Sequence, residues 1–188
     1  MAKEHWMALA ALGCALAQAA SAAEGPAYSA TGELVFPADY RGWTFLTSSF
    51  DLTYNKPIPG TSWLGSLFDN VYVTPDSYRA FLQTGAWPDK TVLVKENREA
   101  LSAGSIAKGG KFQGKVASIE FHVKDEARFP GKWAFFVSDG TSPGKLMPPS
   151  AACYACHEQH GATDTTFVQF YPTLIETAKA KGVFDASK

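Results

Sequence analysis

Val116-Ala117-Ser118-Ile119-Glu120-Phe121-His122-Val123-Lys124 is the stretch on which the fold turns. Ile119, Phe121 and Val123 recur at every second position, with Ser118, Glu120, His122 and Lys124 between them. Successive side chains of an extended chain leave opposite faces, so this period predicts a half-buried strand with one apolar and one polar face. Outward from it, residues 91–96 and 133–138 are short runs rich in β-branched and aromatic residues, as are residues 43–50 and 70–74. Thr74 then offers a helix cap, with Pro75 at the first helical position and Asp76 in the first turn. Tyr78, Phe81 and Leu82 share one face of that helix, and Gly85 ends it. Residues 104–114 are glycine-rich and predict a mobile surface loop, and residues 172–181 predict a C-terminal helix. The expectation is an α+β domain, a predominantly antiparallel β-sheet with a few helices packed on it.

The chemistry concentrates in Cys153-Tyr154-Ala155-Cys156-His157, a C-x-x-C-H motif. Two thiols three positions apart lie on one helical turn and can each add to a vinyl group of haem, and the next residue, His157, offers an imidazole to the iron. The motif predicts one covalent haem c near the C-terminus, with His157 as the metal ligand. The competing readings are a chance occurrence and a C-x-x-C redox pair. Small helical cytochromes c carry the motif near the N-terminus, and cytochromes c′ carry it on a four-helix bundle. A strand-rich domain with the motif near its C-terminus fits neither description.

Residues 1–22 have the pattern of a secretory signal peptide: Lys3, an alanine-rich apolar run from Met7 to Leu16, then Ala20-Ser21-Ala22 as a small-x-small cleavage site. The apolar run is too short and too weak for a membrane span. Cys14 lies inside it, so cleavage leaves Cys153 and Cys156 as the only thiols and no disulfide framework. Covalent haem is attached outside the bacterial cytoplasm, so signal and motif both point to the periplasm. Residues 23–188 suit one domain. With 17 basic and 18 acidic residues the chain is almost neutral, which indicates neither a nucleic acid nor an acidic membrane as partner.

Beyond the signal, Met147, His122 and His160 are the only thioether or imidazole groups besides His157. His160 follows His157 too closely to reach the opposite face of a haem. Met147 is tethered just before Cys153, in a proline-rich segment. His122 falls on the polar face of its strand, where a histidine is ordinarily solvated or hydrogen-bonded. The expectation is a five-coordinate iron with an open site; the alternative is an electron carrier with Met147 as sixth ligand.

Several further stretches carry a resemblance: Tyr40-Arg41-Gly42-Trp43, Val71-Tyr72-Val73-Thr74-Pro75-Asp76-Ser77-Tyr78, and Thr84-Gly85-Ala86-Trp87-Pro88-Asp89-Lys90-Thr91-Val92-Leu93-Val94-Lys95-Glu96. Glu120-Phe121-His122-Val123-Lys124-Asp125, Trp133-Ala134-Phe135-Phe136, the haem motif and Phe167-Val168-Gln169-Phe170-Tyr171-Pro172 complete it. Together they resemble the cytochrome P-460 family. That resemblance implies a mostly antiparallel β fold, a homodimer, and one c-type haem. It implies oxidation of hydroxylamine to nitrous oxide or nitric oxide, with electrons leaving to an external redox partner such as a small cytochrome. In that family a lysine side-chain nitrogen also bonds a meso carbon of the macrocycle, and the matching position is Lys95. A family glutamate falls on Glu120 and implies a proton acceptor in the pocket. A related branch, the cytochromes c′-β, keeps the fold, lacks the cross-link and binds nitric oxide.

The residues themselves speak to both assignments. Lys95 shares a strand face with Leu93 and Thr91, where an inward charge is costly unless it is satisfied or neutral; the alternative is a lysine facing water. Glu120 is either a pocket group or a solvated residue paired with Lys124. Glu96 lies on the opposite face from Lys95 and is expected outside the pocket. Lys90 follows Pro88-Asp89 in a turn and is expected to be solvated. Between Trp133 and Cys153 the only carboxylate is Asp139, expected in an Asp139-Gly140 turn, so that segment offers little base chemistry.

Overall fold

The computed structural model describes residues 25–52 and 66–188. The signal segment 1–22, with Cys14, lies outside the described residues. The strands are β1 (Thr44–Phe50), β2 (Leu67–Val73), β3 (Val92–Leu101), β4 (Phe112–Lys124), β5 (Trp133–Ser138) and β6 (Lys145–Leu146). They form one antiparallel sheet in chain order, so each strand pairs with its predecessor and no crossover is needed. Among the described residues three α-helices, α1 (Pro75–Thr84), α2 (Ala152–His160) and α3 (Ile175–Ala180), complete an α+β domain. None of the described helices is long and apolar enough to cross a membrane.

Helix α1 begins at Pro75, as the sequence predicts. Thr74 stands at the cap position, but its hydroxyl donates to Ser77 Oγ at 2.8 Å and caps no backbone amide. Gly85 ends the helix in the left-handed conformation at φ +77°, its amide bonded to Phe81 O at 2.7 Å. A Cβ there would stand 2.6 Å from Lys181 Cβ, so only glycine lets the chain just beyond α3 come this close. Helix α3 starts later than periodicity predicts. The Leu174 amide turns back onto Tyr171 O at 2.8 Å, and fully buried Leu174 anchors that turn in the core.

Register places side chains by parity. On β3 and β4, Val92, Val94, Ile119, Phe121 and Val123 pack with Leu34, Tyr40, Ala134 and Phe136 on one face. On the other face Leu93 and Trp133 join Leu46, Val73, Phe81, Trp87, Val168 and Leu174, contributed largely by α1 and the C-terminal segment. Burial of each such large apolar side chain contributes about 1.5–3 kcal/mol. Both faces are therefore covered, and this corrects one expectation. The alternation at residues 116–124 marks a strand but not a water-facing side. His122 and Lys124 are each only 7% exposed, because α2 and the C-terminal segment close over the face they share. Glu120 stays exposed near the rim.

Strands β3 and β4 also run further than expected. Register shifts near Arg98 absorb the irregularity and pairing continues to Leu101 and Phe112, so the glycine-rich loop is shorter than predicted and Gly114 belongs to β4. Glu96 points away from Lys95, as parity requires. Its carboxylate, 2% exposed, accepts hydrogen bonds from Tyr40, from both Nε and Nη2 of Arg41, and from Arg98 at 3.1 Å. Burial alone raises a carboxyl pKa; here the three donor residues and the charge of the arginines outweigh it and hold Glu96 below its ordinary value. Lys90 is only half in water: it pairs with the buried carboxylate of Asp125.

Candidate functional site

A cavity of about 540 Å³ opens between the Lys95 face of the sheet and helix α2. Val71, Leu93, Phe135, Phe167 and Tyr171 give it apolar walls, and Lys95, Glu120, His122, Cys153, Cys156 and His157 all line it. Pairing explains the convergence. Lys95 lies opposite Val71 on β2 and opposite Glu120 on β4, while His122 lies between Leu93 and Phe135. A larger groove of about 1210 Å³ runs between the N-terminal segment and α1, but neither a cysteine nor a histidine lines it.

Helix α2 supplies the motif. Its pitch sets Cys153 and Cys156 one turn apart on one face, both half-buried and both free thiols. Burial raises the Cys153 thiol pKa. Tyr154, inside the motif, fastens the helix to β5. Its hydroxyl donates to Met147 O at 3.2 Å and accepts from the Phe135 amide at 3.4 Å, and its ring meets Phe135 edge-on.

His157 is held on three sides. Its Nδ1 lies 2.7 Å from Thr165 O; a carbonyl can only accept, so Nδ1 carries the proton and Nε2 keeps a lone pair. Phe167 packs on the ring at 4.2 Å and Phe135 meets it at 4.6 Å. Burial lowers its pKa, which favours the neutral imidazole a metal requires.

Lys95 lies between two acids. Its Nζ is 3.4 Å from Glu120 and 3.9 Å from Asp69. Asn97 donates to Glu120 Oε1 at 2.8 Å, and Ser49 donates to Asp69 Oδ2 at 3.2 Å. Asp69 is a member of the site that the sequence reading missed. It comes from β2, where no motif or alternation marks it. Burial raises its carboxyl pKa, and the charge on Lys95 partly opposes that rise. Asp139 does lie in a turn, accepting from the Thr141 and Ser142 amides, which hold its pKa at about 2.

The other candidate ligands separate clearly. His122 is not solvated. It stacks on Phe135 at 4.2 Å and on Trp133 at 4.2 Å, and its Nε2 is buried without a partner. Burial pushes its pKa well below the ordinary value. Its ring centre is 4.7 Å from that of His157. Two imidazoles on opposite sides of one iron need nitrogens about 4 Å apart and ring centres wider still, given metal–nitrogen bonds of about 2 Å, so this arrangement does not sandwich an iron. His160 is exposed at the end of α2, and Met147 does not line the cavity. Lys124 pairs with Asp164, not with Glu120.

The residues present fit a haem: two thiols on one helical turn, an imidazole with its outer nitrogen already engaged, and an apolar cavity of the right order of size open beside them. The sequence model of the Cytochrome P460 family matches residues 37–168. The chain belongs to the cytochrome P460 family. The match spans every described strand, Cys153, Cys156 and His157, and stops before α3. A search of curated proteins returns no match. Membership of the cytochrome P460 family implies a haem protein, and hydroxylamine oxidation is known within that family. It also implies oxidoreductase chemistry at that level.

Proposed function

We propose that the protein is a periplasmic cytochrome with one haem c, an open coordination position and a Lys95 cross-link, and that it oxidises hydroxylamine to nitrous oxide or nitric oxide. The observation that carries this reading is the meeting of Lys95, Glu120, Cys153, Cys156 and His157 around one cavity. Bound there, the haem would supply the coordination site for the substrate nitrogen and the path for electrons to an external acceptor such as a small cytochrome. Cys153 and Cys156 would hold the group through thioether bonds, each thiol adding across a vinyl group, and His157 Nε2 would bind the metal. Lys95 Nζ would bond a meso carbon of the ring in place of one N–H and the meso C–H, two protons and two electrons leaving to an external oxidant, and the ammonium that faces Glu120 and Asp69 would be lost.

Oxidation of hydroxylamine releases a proton with each electron. Glu120, near solvent at the rim, accepts protons and passes them to water, and Asp69 offers a second carboxylate on the other side of Lys95. A homodimer is part of the proposal, as the resemblance implies.

One observation favours a second reading. Lys95 is ion-paired with Glu120 and near Asp69, and a charged lysine is not a nucleophile. If that pairing persists in the holoprotein, the cross-link does not form, and the site is a nitric oxide trap of the c′-β kind. The test is an assay of the purified holoprotein with hydroxylamine and an electron acceptor, with gas analysis of the product. Acceptor reduction with nitrous or nitric oxide release supports the enzyme. Nitric oxide binding with no hydroxylamine-dependent reduction supports the trap.

A further inference from the structure

Thr165, whose carbonyl meets His157, carries two unfavourable features at once. Its φ is +58°, a conformation that a β-branched residue adopts only at a cost. Its hydroxyl oxygen is buried without a partner. Asp164 before it is also left-handed, at φ +45°. Such strain persists only where surrounding structure holds it, and it gathers at functional positions.

The restraints are specific. Asp164 Oδ2 accepts from Lys124 Nζ at 2.8 Å, and its Oδ1 accepts from Trp133 Nε1 at 3.2 Å. Lys124, buried on β4, also donates to Trp87 O at 2.8 Å, so the ammonium is fixed from the sheet side. On the far side of the turn, Thr166 Oγ1 donates to Thr163 O at 2.6 Å and accepts from Trp87 Nε1 at 2.9 Å. A clamp that served stability alone would gain nothing from a left-handed threonine. What this clamp does deliver is one carbonyl, placed 2.7 Å from His157 Nδ1.

We propose that Lys124 and Asp164 are positioning residues for His157: their ion pair holds the 164–165 turn so that Thr165 O accepts the Nδ1 proton and sets how strongly Nε2 donates to iron. The inference rests on the haem reading of the cavity. A firm acceptor on one imidazole nitrogen raises the basicity of the other and fixes the ring's orientation, and hydrogen bonding of this kind is one of the levers a protein has on haem potential.

The test uses purified holoprotein and two variants. Asp164→Asn keeps the side chain's size and its acceptor for Trp133 but loses the charge facing Lys124; Asp164 is 33% exposed, so the change leaves the core untouched. Trp133→Phe removes the donor to Asp164 and leaves the ion pair, with a smaller aromatic ring kept against His122 and Lys124. The expected result is unchanged covalent haem by intact mass in both variants. In Asp164→Asn the iron–histidine stretching vibration of the ferrous protein moves to lower frequency in resonance Raman spectra and the midpoint potential rises. In Trp133→Phe both shifts have the same sign and are smaller. A lowered Tm with vibration and potential at parent values makes the pair merely structural and overturns the inference. A parent protein without covalent haem overturns both this inference and the function proposed above; haem in place with an unmoved vibration overturns this inference alone.

Discussion

Lys95 Nζ stands 3.4 Å from the Glu120 carboxylate and 3.9 Å from that of Asp69, so one cation at the cavity wall faces two acids. The three come from β3, β4 and β2, and antiparallel pairing alone brings them together. Whether that nitrogen stays an ammonium or enters a bond to haem decides the charge the two acids feel. As an ammonium it lowers the Asp69 pKa against the larger effect of burial; as a neutral amine it no longer does.

On the proposed reading, Lys95→Ala is expected to keep the two thioether bonds and to lack the third. Covalent haem content by mass is expected to equal that of the parent, while hydroxylamine-dependent acceptor reduction is lost. Retained turnover at the parent rate would show that Lys95 takes no part.

Glu120→Gln keeps the shape and the Asn97 contact but removes the proton acceptor. The expected fall in turnover is roughly 10²–10⁴-fold, the range of a positioned general base, with nitric oxide affinity little changed. Asp69→Asn is expected to lower turnover too. If the two acids share one task, the double variant loses less than the product of the single losses. Stopped-flow kinetics across pH reads all three; unaltered rates in Glu120→Gln would sink its role.

Much of this arrangement was legible in the sequence, and the misses have physical causes. Alternation at residues 116–124 placed Glu120 opposite the apolar face, and Trp133–Ser138 appeared as a strand with its observed bounds. The same alternation put His122 on a polar face, solvated or hydrogen-bonded, whereas it is buried with Nε2 unpartnered. Period two reports which side chains share a face, not what covers that face, and α2 covers it only through contacts distant in sequence. Asp69 was invisible because one aspartate in an aromatic strand is indistinguishable from a solvated one. Thr165 escaped because its role rests on a backbone carbonyl, which no residue type announces.

Gly161→Ala probes the turn from its other side. A Cβ at Gly161 would lie 2.6 Å from the Thr165 carbonyl carbon and 2.7 Å from His157 O, all backbone, so the turn must move. Overpacking of this kind costs about 1–3 kcal/mol. A lowered Tm is expected together with an altered haem absorption spectrum, and a parent-like Tm would contradict the close approach.

The Glu96 cluster is a separate support on the opposite face of β3. Tyr40→Phe removes one donor to a buried carboxylate and is expected to cost about 1.5–3 kcal/mol in denaturant unfolding. The pH dependence follows from sign. Glu96 has a lower pKa folded than unfolded, so its contribution is present above the unfolded value and is lost as pH falls through the folded one. Glu96→Gln is accordingly expected to flatten the acid limb of the stability profile; a limb as steep as the parent's would place the acid sensitivity elsewhere.

The most direct test of the account is peptide mass spectrometry on protease-digested holoprotein. The account predicts one haem joined to the peptide holding Cys153 and Cys156 and, through a third bond, to the peptide holding Lys95. Haem held by the cysteines alone would contradict the cross-linked enzyme and favour the nitric oxide trap, and a protein with no covalent haem would contradict the account at its centre.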